Sequence, residues 1–146
     1  MNLWFLYMSS NKQHMNSNEK GVVMIVDDND DHRQSTSLLI ESMGYDTVSA
    51  KDGIEACSVY EKHTPNLVIM DINMPKMDGY EAFFKIKKSN PNAKIILMTS
   101  YQDYSKLAEA KQKCLIYLLQ KPFTDTLLEE LIKANIKNAP IVCEKQ

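Results

Sequence analysis

Val22-Val23-Met24-Ile25-Val26-Asp27-Asp28 sets five consecutive apolar residues against two carboxylates. A strand covered on both faces reads as such an unbroken apolar run, whereas a half-exposed strand alternates. Burial on both faces is typical of parallel sheets flanked by helices. Outward from this run the same unit repeats. Further strands are expected over Tyr45–Ala50, Leu67–Met70, Lys94–Met98 and Leu115–Leu119. Helix-compatible stretches separate them: Asp30–Met43 with Gly44 as its stop, Gly53–His63, Gly79–Lys88 ended by Asn90-Pro91, and Asp103–Lys113. A last helix carries Phe123, Leu127, Leu128, Leu131 and Ile132 as one apolar stripe and stops before Ala139-Pro140. Five strands alternating with five helices predict an α/β fold, a doubly wound parallel sheet with right-handed crossovers.

The composition agrees with one such domain. The 146 residues are 44% hydrophobic and 25% charged, enough for a single core under an ordinary solvated surface. Lys and Arg number 17 against 19 Asp and Glu, a net charge of −2. That balance argues against a nucleic-acid partner, which needs a basic excess. No run approaches the ~20 apolar residues of a membrane span. Cys57, Cys114 and Cys143 are odd in number and widely spaced, so reduced, mostly core thiols and a cytoplasmic location are expected. Residues 1–20, an apolar run from Leu3 to Met8 and then a polar Asn-rich stretch, read as a poorly ordered leader. Residues 21–137 read as the folded domain and 138–146 as a tail.

In open parallel sheets, ligands bind beyond the C-terminal ends of the strands. There the first strand delivers Asp27 and Asp28, the third Asp71, the fourth Thr99 and Ser100, and the fifth Lys121. Three neighbouring carboxylates repel one another unless a cation sits among them. Hard oxygen donors suit Mg²⁺, and no His or Cys in the set favours zinc. A carboxylate beside Mg²⁺, an ammonium and a hydroxyl is equipment for accepting a phosphoryl group.

These residues resemble the receiver domain of two-component response regulators, of the single-domain kind found in chemotaxis and sporulation relays. The matches are Asp27-Asp28, Gly44-Tyr45, Asp52-Gly53, Asp71-Ile-Asn-Met-Pro-Lys-Met-Asp-Gly79, Met98-Thr99-Ser100-Tyr101 and Lys121-Pro122-Phe123. The resemblance implies a flavodoxin-like sheet of order 2-1-3-4-5 and a phosphoprotein in a phosphorelay. It implies Asp71 as phosphoacceptor and Mg²⁺ held by Asp28, Asp71 and the main-chain carbonyl of Asn73, with Asp27 acting through water. Thr99 and Lys121 are implied to grip the attached phosphoryl group, and the Lys121-Pro122 bond to be cis. The implied partners are a histidine kinase or histidine phosphotransfer protein, with a downstream protein target.

One departure concerns the aromatic switch residue usual three positions before the lysine. That place is Leu118, and the aromatic is Tyr117, although Thr99 to Lys121 keeps the expected spacing of 22 (121 − 99). Either the fifth strand is locally bulged or the Thr-aromatic switch is absent. The first helix is unusually polar at Asp31, His32, Ser35 and Thr36, which reads as a weakly packed first turn. His32 and His63 read as surface residues. About two dozen residues follow Lys121-Pro122, room for one helix and a tail, so output by protein contact or onward relay is expected. Two other functions fit less of the pattern. A phosphorylation-independent scaffold makes no use of the acidic set. A phosphatase forming an aspartyl phosphate needs an acid two residues after Asp71, and Asn73 cannot protonate a leaving group.

Overall fold

The computed structural model describes residues 20–137 together with Ile141 and Cys143. The leader expected over residues 1–20 lies outside the described residues except for Lys20, as does most of the expected tail. The chain runs β1 (Val22–Val26), α1 (Asp30–Ser42), β2 (Asp46–Ala50), α2 (Gly53–His63), β3 (Leu67–Asp71), α3 (Gly79–Ser89), β4 (Ile95–Thr99), α4 (Leu107–Gln112), β5 (Tyr117–Gln120) and α5 (Asp125–Asn135). All strand pairs are parallel, in the order β2-β1-β3-β4-β5. The doubly wound sheet read from the apolar runs is the observed one.

Alternation along the central strands builds two core layers. Leu67 and Ile69 of β3 face one layer with Ile40 of α1 and Leu128 and Ile132 of α5. Val68 and Met70 face the other, with Tyr60 of α2, Phe83 and Ile86 of α3 and Ala110 of α4. Every residue of β3 and β4 is buried, which is why those runs do not alternate in the sequence. Burying each such aliphatic side chain contributes roughly 1.5–3 kcal/mol.

Four helices start on side-chain caps. Asn29, Asp52, Asp78 and Thr124 accept from the backbone N–H three residues on, at His32, Glu55, Glu81 and Leu127. Each cap stands close behind a strand end or the site loop, so the caps hold the site's main chain as well as the helices. Helix α4 lacks a side-chain cap and is shorter than the expected Asp103–Lys113. Asp103 takes hydrogen bonds from Ser105 N and Oγ, a local turn that competes with helix, and Tyr80 Oη donates to the Asp103 carbonyl. Gly44 ends α1 with φ +93°, and its N–H donates to Glu41 O.

One expectation is corrected and one of two open alternatives is closed. Cys114 and Cys143 are disulfide-bonded and only Cys57 is a free thiol. Distance along the chain misled here: Cys143 lies against the α4–β5 turn, and the two Cα atoms stand 5.2 Å apart. Nor is β5 bulged. Its register with β4 runs unbroken from Ile96–Tyr117 to Thr99–Gln120. Leu118 packs into the layer of α2, α3 and α4, whereas Tyr117 points to the opposite face and is 43% exposed.

One buried charge lies away from the strand ends. Lys87 of α3 is 5% exposed, and its Nζ donates to the carbonyls of Ala93 and Pro91 and lies 5.9 Å from the Phe83 ring centroid. Burial pushes its pKa down to about 8. The folded value thus lies below the unfolded one. Burial of the charged form costs most below about pH 8, and the cost is relieved as pH rises toward the unfolded value of about 10.5. Lys87→Met should therefore be most stabilising relative to wild type near pH 7. Urea melts of both proteins should show that difference shrinking by up to about 3 kcal/mol by pH 10. A difference flat with pH would mean that the carbonyl contacts fully offset burial.

Candidate functional site

Asp27 and Asp28 leave the end of β1 and Asp71 ends β3, the neighbouring strand. Asp27 and Asp71 are buried, Asp28 is exposed, and one carboxylate oxygen from each lies within 4.8 Å of the others. Lys121, just beyond β5, reaches across the strand ends. Its Nζ is 2.7 Å from Asp71 Oδ2 and 3.0 Å from Asp27 Oδ2. The second oxygens are held by the main chain: Asn73 N–H donates to Asp71 Oδ1 at 2.9 Å and Asn29 N–H to Asp27 Oδ1 at 3.0 Å. Asp28 makes no hydrogen bond or ion pair among the described residues. The peptide bond between Lys121 and Pro122 is cis.

The two buried carboxylates part company in their acidity. Burial by itself would raise both. At Asp27 the Asn29 N–H, Lys121 and His32 outweigh it and hold the carboxyl below the ordinary range. At Asp71 burial wins, helped by the charge of Asp27, and the carboxyl is held above the ordinary range despite Lys121 and the Asn73 N–H. Burial would lower Lys121, but its two carboxylate partners outweigh that and raise it. Asp27 is thus a committed anion, and Asp71 is a carboxylate partly stripped of water, a state suited to a nucleophile.

His32 keeps about a third of its side chain exposed but makes a contact that the sequence did not show. The histidine expected at the surface has its Nδ1 2.5 Å from Asp27 Oδ2, and its ring packs edge-on to Phe123 with centroids 6.1 Å apart. Since Asp27 is ionised, the imidazole Nδ1 is the donor. Arg33 reinforces the contact by donating from Nη1 to the Asp27 carbonyl at 2.7 Å. The polar first turn of α1 is therefore tied to the end of β1. A signal existed in the sequence: with Asn29 as N-cap, residues 32 and 33 occupy the first turn next to the strand that α1 leaves.

Thr99 ends β4, fully buried, with its hydroxyl donating to the Tyr101 carbonyl and not to Asp71. Ser100 is exposed and lines a cleft of about 660 Å³ with His32, Thr36, Lys121 and Phe123. Asn73, two residues past Asp71, is exposed beside the carboxylates. The gathered donor set is all oxygen, carries three formal negative charges and meets one lysine. It fits a hard divalent cation with waters completing the shell, and a phosphoryl group beside it.

Comparison with known proteins agrees with this geometry. The model of the response regulator receiver domain matches residues 23–133. The probable transcriptional regulator ycf27 of Porphyridium aerugineum is 31% identical over 119 residues, and the chain spans about half of its length (49%) and 82% of its own. Sporulation initiation phosphotransferase F of Bacillus subtilis is 31% identical over 116 residues, covering 80% of this chain and 92% of the relative. Among solved structures, the CheX-CheY-BeF3-Mg²⁺ complex from Borrelia burgdorferi contains a chain 26% identical to this one, with TM-score 0.73, covering 78% of this chain and 87% of that one. The apolar strands, the strand-end carboxylates and the match over 23–133 lead to one conclusion: the chain belongs to the response regulator receiver domain family.

Proposed function

We propose that residues 21–137 form a receiver domain that takes a phosphoryl group on Asp71 from a phosphohistidine donor, with residues 1–20 as a leader and 138–146 as a tail. The observation that carries this is the meeting of Asp27, Asp28 and Asp71 within 4.8 Å under the bridging Lys121. An Asp71 carboxylate oxygen attacks phosphorus, a P–O bond forms and the P–N bond to the donor imidazole breaks. Asp28, Asp71 and the Asn73 carbonyl, with Asp27 through water, would hold Mg²⁺. When bound, Mg²⁺ supplies positive charge to the phosphoryl oxygens. Lys121 then exchanges its Asp71 contact for a phosphoryl oxygen, and Thr99 turns its hydroxyl from Tyr101 toward another.

The donor is a histidine kinase or histidine phosphotransfer protein in the cytoplasm, and the output is contact with a protein target or onward relay. One observation favours a second reading, a scaffold that works without phosphorylation. Leu118 stands where the switch aromatic is expected, and Tyr117 faces away from that layer.

Intact-protein mass after exposure to acetyl phosphate, with and without Mg²⁺, separates the two readings. A single phosphoryl addition requiring Mg²⁺ is expected. If none appears with acetyl phosphate or with a phosphorylated histidine phosphotransfer protein, the scaffold reading replaces this one. Lys121→Ala should still be labelled, at a rate lower by about tenfold or more, because one of the charges opposing the phosphoryl oxygens is lost. Its spectral response to phosphorylation should be weakened. A response equal to wild type would make Lys121 a bystander.

A further inference from the structure

Cys114 and Cys143 form a bonded pair that the phosphoacceptor site does not use. Cys114 sits in the turn between α4 and β5 with φ +65°, and Cys143 lies 29 residues further along the chain. The end of α5 and the chain up to Lys137 are anchored to β4. Lys94, at the foot of β4, donates to the carbonyls of Asn135 and Lys137. Helices α4 and α5 lie on opposite faces of the sheet, with Ala110 in one core layer and Leu128 and Ile132 in the other. The bond therefore fastens Cys143 to the end of α4, next to β5, an edge strand of the sheet.

Two observations separate this pair from a structural staple. Neither cysteine belongs to either core layer, so the sheet and its helices pack without it. Both residues are half-buried, neither sealed in the interior, and disulfide exchange needs such access. Cys57 differs: it packs against the core layer of α2 and α3, and burial pushes its thiol pKa up, so it is a poor exchange partner.

We propose that Cys114 and Cys143 are a reversible thiol–disulfide switch that clasps Cys143 to the turn between α4 and β5. The oxidant is a low-molecular-weight disulfide of the glutathione class. One cysteine thiolate attacks it, forming a mixed disulfide and releasing one small thiolate. The other cysteine thiolate attacks the mixed disulfide at the protein sulfur and releases the second. Two protein thiols lose two protons and two electrons, and the small disulfide becomes two thiols. Reduction runs the same exchange backward, frees Cys143 and leaves the domain folded.

The full chain should be equilibrated in glutathione buffers of varied reduced-to-oxidised ratio, quenched in acid, alkylated unfolded with N-ethylmaleimide and weighed. One adduct, on Cys57, is expected at the oxidised end and three at the reduced end, with a single transition between. Trypsin should cut after Lys137 several-fold faster in the reduced protein, and reduction should lower Tm by roughly 5–10 °C. Cys143→Ser should show neither change between the two buffers. Three adducts in fully oxidised glutathione would overturn the proposal. So would one adduct that persists in excess dithiothreitol under native conditions, or a peptide map placing Cys57 in the bond. Equal cleavage at Lys137 in both states would remove the clasp.

Discussion

Asp71→Asn should take up no phosphoryl group from acetyl phosphate in Mg²⁺ while unfolding at a urea midpoint equal to or above that of wild type. The first half follows from chemistry, since a carboxamide does not form a stable acyl phosphate under these conditions and the amide is nearly isosteric. The second half follows from linkage. Asp71 titrates above the ordinary carboxylate range because burial outweighs Lys121 and the Asn73 N–H. An acid whose folded pKa is raised contributes less stability once pH passes its unfolded value, and that loss is complete above its folded value. Removing the charge relieves the loss. The Asn73 N–H keeps an oxygen to donate to, and Lys121 keeps Asp27 at 3.0 Å. Retained labelling would move the acceptor to another residue. A stability lowered by more than about 1 kcal/mol would mean that the Asp71–Lys121 pair holds the fold up and that pairing, not burial, dominates at this carboxylate.

Gly79→Ala should cost about 3 kcal/mol or more and should remove phosphorylation along with it. Gly79 starts α3 on the main chain of the phosphoacceptor itself. A Cβ there would stand 2.2 Å from the Asp71 carbonyl oxygen and 2.7 Å from the Ile72 Cα. Both are backbone atoms at the end of a fully buried strand, so no flexible side chain can give way. The Gly79 N–H also donates to Ile72 O at 2.8 Å, which locks the approach. Relief requires α3 to lift off the end of β3, carrying Asp78, its N-cap, away as well. Gly44→Ala is the contrast. Its φ of +93° is unfavourable for alanine, but a Cβ there meets nothing within 4 Å. It should cost only about 1 kcal/mol and leave labelling intact. Urea melts with mass spectrometry on both variants check this. A Gly79→Ala protein within about 1 kcal/mol of wild type would show that the helix start is slack.

The fold and the acidic cluster were legible in the sequence because both are written in contiguous residues. An unbroken apolar run such as Leu67–Met70 reports burial on both faces of a strand. The residue that follows it, Asp71, must then stand at the sheet edge where ligands bind. Sheet order is harder to read from local pattern and entered through a family resemblance.

Tertiary structure alone decided the rest. The contact of His32 with Asp27 was not legible, because the two meet only once α1 packs against the end of β1. The unbulged ladder of β5, with Leu118 inward and Tyr117 outward, depended on pairing with β4. The start of α4 depended on Asp103 closing a turn on Ser105 while Tyr80 reached over from α3. Cys114 and Cys143 looked like unrelated thiols because 29 residues of chain separate them, yet in the fold their Cα atoms stand 5.2 Å apart. Periodicity and strand-end chemistry are local properties of a chain, and sequence carries them openly. Contacts between segments are set by the packing of all the layers at once, and no single segment carries them.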